Sequence, residues 1–434
     1  MPAASFRRNI PLFIAFRVLF NARWYYPVLA ILFLDLGLSV EQYALLNVAW
    51  AAAIVGLEVP SGALADHIGR RKMIIVAAVL MVIEMAVFAF APRGNPTLLF
   101  VLFFINRIFS GAAEACASGA DEALAYDSLS ADGREKEWPQ VLDRVMRWQS
   151  AAFFITMMAG AAIYDETFLQ KAGETIGLPF QISKDTAMRL PLLFTLGNAI
   201  LLLPVVFSLR EPPTGAHAEN ESATSPWKAT LAAGKWIWMT PLAFSIILAG
   251  LCFDSIVRLF LTFEAGYFRV IDLPTASFGI LGAAFSLLGF VVPLLAKRMV
   301  ARWSMWTNFS ILAVAVFGGL VGAGFVTPWY GLIWLVPIGM AMSFVQFFVS
   351  HYLNELVKDS RRRATILSFR GLAFNLGYGA VGLMFAGLTR WLGKSSGGAS
   401  SDEVFAKSLG WLPWYFLATM LLLATFVFLR KGKR

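Results

Sequence analysis

Long apolar stretches alternate with short charged loops along the whole chain. A helix of about 20 apolar residues is long enough to cross the roughly 30 Å of hydrocarbon in a bilayer. The pattern therefore predicts an all-α polytopic membrane protein with twelve transmembrane helices, at residues 10–34, 42–64, 72–91, 97–129, 141–164, 190–209, 240–267, 276–296, 305–325, 330–357, 364–391 and 409–429.

The most polar stretch of the chain, residues 210–239, separates the sixth predicted span from the seventh. Its first part is rich in Pro, Glu, Ser and Thr, a composition typical of a flexible linker. Aromatic residues at 227–238, with Lys228 and Lys235 at helical spacing, predict a short helix that lies at the membrane interface. We expect an N-terminal six-helix bundle at 1–209, a cytoplasmic linker at 210–239 and a C-terminal six-helix bundle at 240–434.

Composition supports the membrane class. The chain is 58% hydrophobic and 15% charged with a mean hydropathy of +0.68, whereas a soluble domain is nearer half apolar and a quarter charged. The net charge of +9 is spread over the short loops, so it indicates topology and not nucleic-acid binding. The expected partners are the lipid bilayer and a small-molecule substrate, for a monomer without metal or cofactor.

Lys and Arg residues fall mainly on one side of the predicted spans. If the N-terminus is inside, 23 lie in inside segments and 8 in outside segments, and such an excess marks the cytoplasmic side. We therefore expect cytoplasmic termini in the plasma membrane, the inner membrane if the source is bacterial. Arg17, Asn21 and Arg23 interrupt the first apolar run, so it is predicted to be an uncleaved span and not a signal peptide.

A short internal repeat supports two related halves. Residues 54–63 recur 233 positions later as residues 287–296, with Gly, Val, Pro and Ala matched without gaps at the same end of spans two and eight. Two parallel six-helix halves related by an axis normal to the membrane hold their substrate near the midplane between them. The fold prediction is therefore two pseudo-symmetric six-helix bundles.

The hairpin between spans two and three carries a specific motif. Gly62-x-Leu64-Ala65-Asp66-x-x-Gly69-Arg70-Arg71-Lys72 resembles the cytoplasmic signature of the major facilitator superfamily, and Arg107-x-x-x-Gly111 resembles its second motif, in span four. With twelve predicted spans, the resemblance covers essentially the whole chain. It implies a transporter that works by alternating access.

The motif predicts a cytoplasmic latch for the outward-facing state. A glycine at position 62 lets a neighbouring backbone approach closely, and Gly69 permits a tight reversal. By resemblance, Asp66 faces the N-terminus of span eleven, while Arg70 is placed to pair with an acid at the foot of span four. The alternative is that these residues only set topology and form a turn. The predicted latch comprises Gly62, Asp66, Gly69, Arg70, Arg71 and Asp127.

Span four carries the richest polar stripe. Arg107, Glu114 and Asp121 are seven residues apart, so a continuous helix would place them on one face, with Glu122 beside them. Gly111, Ala115 and Gly119 form a neighbouring stripe suited to close helix packing. Resemblance implies proton coupling for Arg107, with Glu114 as a candidate proton carrier; a structural Arg–Glu pair is the alternative.

Polar residues inside other spans are candidates for the substrate cavity, because ionisable groups in spans normally face a cavity or a partner. Asp254 and Arg258 are four residues apart and either neutralise each other or contribute to the site. The full set of cavity candidates is Arg17, Asn21, Trp24, Asp254, Arg258, Gln346, Ser350, Arg370 and Asn375.

Four functions follow for comparison. The preferred one is proton-coupled export of a small amphipathic compound or drug, although span five lacks the glycine-proline motif typical of drug–proton antiporters. The second is transport of a small organic anion bound by intramembrane arginines. A receptor or scaffold would not retain such a polar interior. An enzyme is not predicted, because the chain has no Walker loop, nucleophile elbow or zinc-binding motif.

Overall fold

A computed structural model describes residues 6–92, 94–130, 134–177, 181–212, 226–356 and 360–431. The regular structure of these residues is helical. The first nine helices are α1 Asn9–Asn21, α2 Leu29–Asp35, α3 Val40–Ile68, α4 Arg70–Phe90, α5 Pro96–Ala117, α6 Ala120–Asp127, α7 Arg134–Tyr164, α8 Glu166–Thr175 and α9 Lys184–Ser208. The rest are α10 Pro226–Met239, α11 Pro241–Thr262, α12 Glu264–Val270, α13 Phe278–Arg302, α14 Met305–Gly324, α15 Leu332–Leu356, α16 Ser360–Ser395, α17 Ser401–Leu409 and α18 Leu412–Lys431.

Most of the predicted spans correspond to long apolar helices. In the described part of the chain nine helices are long and apolar enough to cross a membrane, or ten if the bent pair Gln140–Tyr164 and Glu166–Thr175 is one span. The helix of the eighth predicted span, α13, includes residues 286–290, whose side chains are not described. The all-α membrane fold class is thus confirmed.

The first predicted span is not one continuous helix. Helix α1 ends at Asn21, a 3-10 turn occupies Tyr26–Val28, and α2 follows it. Pro27 donates no backbone hydrogen bond, so a continuous α-helix through this position would lose one. The break turns the chain at Arg23, whose side chain is buried.

The fourth predicted span is also broken. Helix α5 ends at Ala117 and α6 begins at Ala120, with Gly119 between them at φ +75°. Only glycine adopts that backbone conformation readily. The prediction that a continuous helix carries the stripe from Arg107 to Asp121 is therefore wrong, and Gly119 serves the break instead of close helix packing.

The residues form two compact units. Unit 1 comprises Met1–Leu32, Ala49–Thr224 and Thr275–Ile280, and unit 2 comprises Phe33–Val48, Ser225–Pro274 and Leu281–Arg434, in each case so far as they are described. The domain limits at 209 and 240 stay a prediction. Residues 213–225 of the predicted linker lie outside the described residues, and α10 covers the segment for which a short helix was predicted.

Unit 1 is built on close helix contacts. Helix α4 packs against α5 and α9, and α1 packs against α7 and α9. A Cβ atom at Gly160 would lie 1.9 Å from the carbonyl oxygen of Trp24, and one at Gly111 would lie 2.7 Å from the Ala53 Cβ. Glycine at these positions lets helices approach to backbone contact, the arrangement by which membrane helices associate.

Unit 2 is organised around α11, which packs against α15, α16 and α18. Aromatic rings fill its centre: the Phe253 ring meets the Phe416 ring edge-on at 5.3 Å, and Phe348 is fully buried. Helix α14 packs against α15, where a Cβ atom at Gly322 would overlap the Trp334 ring at 2.0 Å. This core supports the polar residues on α11 and α16.

Candidate functional site

The hairpin between α3 and α4 is closed by a residue from the far end of unit 1. Gly69 has φ +102°, which allows the reversal that the motif predicts. The Glu211 carboxylate accepts hydrogen bonds from the backbone N–H groups of Arg70 at 3.0 Å and Arg71 at 2.7 Å. A carboxylate at a helix N-terminus is stabilised by the free N–H groups there. Glu211 therefore caps α4, a role that the sequence did not indicate.

The structure brings the two predicted partners of the latch together. Arg70 donates to the Asp127 carboxylate, and both side chains are about one-quarter exposed. Arg71 donates to the carbonyl oxygen of Phe207 at 3.0 Å. The side chain of Asp66 lies outside the described residues. The close approach expected at Gly62 is not seen, because no described atom lies within 4 Å of a Cβ built there.

The acids that follow the break in span four are held by span one. Arg17 donates to Asp121 at 3.1 Å and lies 3.6 Å from the Glu122 carboxylate. Asp121 is buried, while Glu122 is about half exposed. Both belong to the first turn of α6. The predicted cavity residue Arg17 is therefore neutralised within unit 1.

Arg107 and Glu114 lie on α5 in different surroundings. Arg107 is buried, with 6% of its surface exposed. Glu114, in contrast, has an exposed side chain. The described residues provide no hydrogen bond to its carboxylate. The predicted stripe is thus divided between a packed arginine, an accessible glutamate and the two acids paired with Arg17.

A fully buried ion pair in unit 1 was not predicted. Arg23 donates to the Glu84 carboxylate, and the two side chains are 4% and 1% exposed. Arg23 also donates to the Tyr25 hydroxyl at 3.2 Å, and Asn106 donates to the backbone carbonyl of Glu84 at 2.8 Å. The sequence shows that both charged residues lie inside predicted spans. It does not show that they pair, because they are 61 residues apart along the chain.

The two other candidates from span one have local roles. The Asn21 amide donates to the carbonyl oxygen of Arg17 at 2.7 Å, within its own helix. The Trp24 backbone N–H donates to Thr195 at 3.1 Å, and its ring packs on Phe194. The Trp24 indole N–H is buried without a hydrogen-bond partner among the described residues.

In unit 2, Arg258 is held from several sides. Its guanidinium lies 2.7 Å from the Asp254 carboxylate and donates to the Asn375 side-chain oxygen at 2.8 Å. The Tyr378 ring lies beneath it, 5.4 Å from the guanidinium carbon to the ring centroid. Asp254 is 1% exposed. Asp254 and Arg258 therefore neutralise each other in the described structure.

The remaining predicted cavity residues differ in their surroundings. Arg370 is half-buried over the Phe374 ring at 6.0 Å, and no described acceptor hydrogen-bonds its guanidinium. On α15, Gln346 is exposed and Ser350 is half-buried. Among the described residues, no three His, Cys, Asp or Glu side chains are grouped so as to hold a metal ion.

A second charged cluster is formed by residues near the loops predicted to lie on the non-cytoplasmic side of the membrane. Arg269 on α12 contacts Asp35 at 2.6 Å and Asp402 at 2.6 Å. Burial alone would lower the pKa of the Arg269 guanidinium, but the two carboxylates outweigh it, so the pKa is raised above its ordinary value. Arg390 lies 3.7 Å from Glu41. These contacts hold residues 33–48 within unit 2.

The sequence model of the Major Facilitator Superfamily matches residues 12–382, most of the chain. The chain belongs to the Major Facilitator Superfamily. It is a membrane transporter and not an enzyme, as predicted. Among curated proteins, no sequence matches this chain.

Solved transporters share the fold at low sequence identity. The nucleoside transporter NupG has a TM-score of 0.69 at 14% identity, with 96% of this chain and 98% of that chain covered. A bacterial homologue of the human lysosomal transporter Spinster, in an inward-facing and unoccupied conformation, has a TM-score of 0.68 at 16% identity, with 98% and 96% covered. A D-xylose–proton symporter has a TM-score of 0.58 at 16% identity, with 95% and 96% covered. Identities this low show the superfamily fold alone.

The buried pair predicts a sharp stability difference. Arg23→Gln leaves the Glu84 charge buried without its partner, so we expect a loss of about 3–5 kcal/mol in the free energy of unfolding. The double change Arg23→Gln with Glu84→Gln removes both charges and should recover most of that loss. Thermal unfolding of the purified protein in detergent measures both variants.

An exposed ion pair of the same unit is the matched control. Asp143→Asn breaks the contact with Arg147, whose side chain is 78% exposed, and should cost less than about 1 kcal/mol. Equal losses for the single and double variants at the buried pair would show that Arg23 and Glu84 do not compensate each other.

Proposed function

We propose that this superfamily member is a secondary transporter that moves a small amphipathic compound in exchange for protons. Glu114 is the proton carrier in this proposal. The observation that carries it is the accessible Glu114 carboxylate, inside an apolar span and without a hydrogen-bond partner among the described residues. Ionisable groups inside spans mark substrate or proton pathways when they are not held in pairs.

The break in span four distinguishes Glu114 from the acids that follow it. Glu114 lies in the last turn of α5, where the free carbonyl groups of a helix disfavour negative charge. Asp121 and Glu122 lie in the first turn of α6, where free N–H groups favour negative charge, and Arg17 adds a positive charge beside them. This arrangement supports reversible protonation at Glu114, whereas Asp121 and Glu122 lie beside the Arg17 guanidinium.

Glu114→Gln should remove proton movement and keep substrate exchange, because the amide retains the size of the side chain but does not titrate. In proteoliposomes with a pH-sensitive dye, we expect substrate-driven proton flux to fall to the level of empty liposomes. Exchange of labelled for unlabelled substrate across the same membranes should continue.

The matched control is Glu174→Gln, the same change at an exposed glutamate on α8, which should leave proton flux unchanged. A Glu114→Gln protein that still moves protons with its substrate would exclude Glu114 as the carrier. The orientation of the imposed pH gradient that drives accumulation also tests export against uptake.

Arg370 favours a second candidate, transport of a small organic anion. In the interior of unit 2, Arg258 is neutralised by Asp254, whereas the described residues offer Arg370 no hydrogen-bonded acid. A guanidinium in this position can bind a carboxylate or phosphate through two parallel hydrogen bonds. The substrate anion would then supply the missing charge.

Arg370→Gln separates the two candidates. If anions are the substrates, uptake or release of anionic compounds should be lost while neutral and cationic compounds still move. Arg390→Gln, at an exposed arginine on the same helix, is the control and should have no such selectivity. Unchanged anion transport by Arg370→Gln would eliminate this candidate.

The contact of Arg70 with Asp127 supports the predicted latch. We propose that it stabilises one state of the transport cycle and opens in the other. Ion pairs near the protein surface contribute about 0.2–1 kcal/mol, so the loss of this contact should shift the populations of the two states by up to about fivefold.

A charge exchange tests the latch. Arg70→Asp places two acids together and should slow transport two- to fivefold at equal protein level, whereas Arg70→Asp with Asp127→Arg should restore the rate. Arg144→Asp reverses the charge of an exposed arginine on α7 and serves as control. Failure of the double variant to exceed the single one would leave the contact without a role in cycling.

A further inference from the structure

An apolar cavity of about 240 Å³ lies inside unit 2, between α11, α16 and the start of α18. Every residue that lines it is apolar or aromatic, and the set includes Ile256, Leu259, Met384, Leu388, Trp411 and Tyr415. An apolar cavity of roughly 150 Å³ stays free of water and holds one benzene ring. This cavity therefore has room for a hydrocarbon group and offers little to a charged one.

The hydroxyl of Tyr415 is already engaged. It forms a hydrogen bond with the side chain of Ser255, which is 1% exposed. Ser255 in turn donates to the backbone carbonyl oxygen of Cys252 at 3.3 Å. The polar end of Tyr415 is thus held by α11, and rings and alkyl chains remain to face the cavity.

The cavity lies on a different side of α16 from the polar residues of unit 2. Met384 lines the cavity, whereas Asn375 accepts a hydrogen bond from Arg258. Positions nine residues apart point to opposite sides of an α-helix. The cavity is therefore separate from the polar interior that contains Asp254, Arg258 and Asn375.

Helix α18, which forms one wall of the cavity, lies at the periphery of unit 2. The most apolar stretch of its span is 22% buried, the smallest share among the nine spans of the described residues, whereas that of α11 is 72% buried, the largest. Met384 and Trp414 line the cavity and are themselves 58% and 64% exposed. The cavity thus extends inward from a surface that faces acyl chains in a bilayer.

Tryptophan rings mark one end of the cavity. Trp411 and Trp414 line it, and the Trp391 ring meets the Trp411 ring edge-on at 6.1 Å. All three residues lie at the ends of the eleventh and twelfth predicted spans, on the side predicted to be non-cytoplasmic. Tryptophan is enriched at the level of the lipid headgroups. The cavity therefore lies just below the headgroups, at the depth of the upper part of an acyl chain.

We propose that this cavity binds one acyl chain of a phospholipid from the non-cytoplasmic leaflet. The chain enters past Met384 and Trp414 and packs against Ile256 and Leu259. The headgroup stays at the level of Trp391.

The gain from this binding is close packing, because lipid tails are as apolar as leucine. Atoms that line an empty space lose their van der Waals contacts, and a bound chain restores them. A helix from a second copy of this chain, about 10 Å across with its side chains, is too wide for a cavity of this volume.

A matched pair of tryptophan substitutions tests the site. Leu388→Trp fills the cavity, whereas Leu383→Trp places the same ring on the same helix at a position outside the cavity that is 54% exposed. The full-length protein is reconstituted into phosphatidylcholine vesicles that contain a phosphatidylcholine probe with a diazirine in its acyl chain. After irradiation, labelled residues are mapped by mass spectrometry as the probe fraction is raised.

In the wild-type protein, we expect labelling at Met384 and Trp414 to saturate, while labelling at Val314, which is 74% exposed on α14, rises in proportion to the probe. Leu388→Trp should reduce labelling at the cavity roughly fivefold, because the added ring occupies the space of the chain. Leu383→Trp should leave it unchanged.

The saturation measurement does not depend on the folding of any variant. Proportional labelling at the cavity and at Val314 alike would show contact with bulk lipid only and would overturn the proposal. Equal labelling of the cavity in the Leu388→Trp and Leu383→Trp proteins would overturn it as well.

Discussion

Charged side chains inside the hydrocarbon region need a partner of opposite charge, and this requirement determines how the polar residues are arranged inside each unit. An ionised group there costs several kcal/mol unless a partner or water meets it. Unit 1 meets this constraint by pairing Arg23 with Glu84, and unit 2 by pairing Asp254 with Arg258. Once these pairs are closed, Glu114 and Arg370 are still without a hydrogen-bonded partner among the described residues. The functional proposals therefore depend on which charges the fold leaves unmatched.

Breaks in the helices place these groups. The turn at Gly119 puts Glu114 at the end of one helix and Asp121 at the start of the next, which gives two acids seven residues apart opposite electrostatic surroundings. The break after Asn21 brings the Arg23 side chain inward to Glu84. Irregular backbone at membrane depth is tolerated where protein or a cavity satisfies it, so both breaks coincide with polar side chains.

Hydropathy and two motifs were enough to predict the fold class, the superfamily and the contact of Arg70 with Asp127. The hairpin motif predicts this contact because Arg70 and Asp127 both flank loops at the cytoplasmic surface that the sequence predicts. The partners of Arg17 and Arg23 were not predictable in the same way, since they depend on the rotation of helices that lie far apart in sequence. The break at Gly119 was missed because a spacing of seven fits a continuous helix until a positive φ interrupts it.

Glu211 gives the start of the linker a structural task. Its carboxylate closes the first turn of α4 beside Gly69, where a Cβ atom would lie 3.2 Å from a Glu211 oxygen. The N-terminal half of the chain therefore includes residues beyond Leu209, the last apolar residue of its sixth predicted span. A fragment that stops at Leu209 lacks the acid that caps α4, whereas one extended past Glu211 carries it. If the two halves are expressed as separate chains and reassembled, the first chain must therefore extend two residues beyond Leu209, to Glu211.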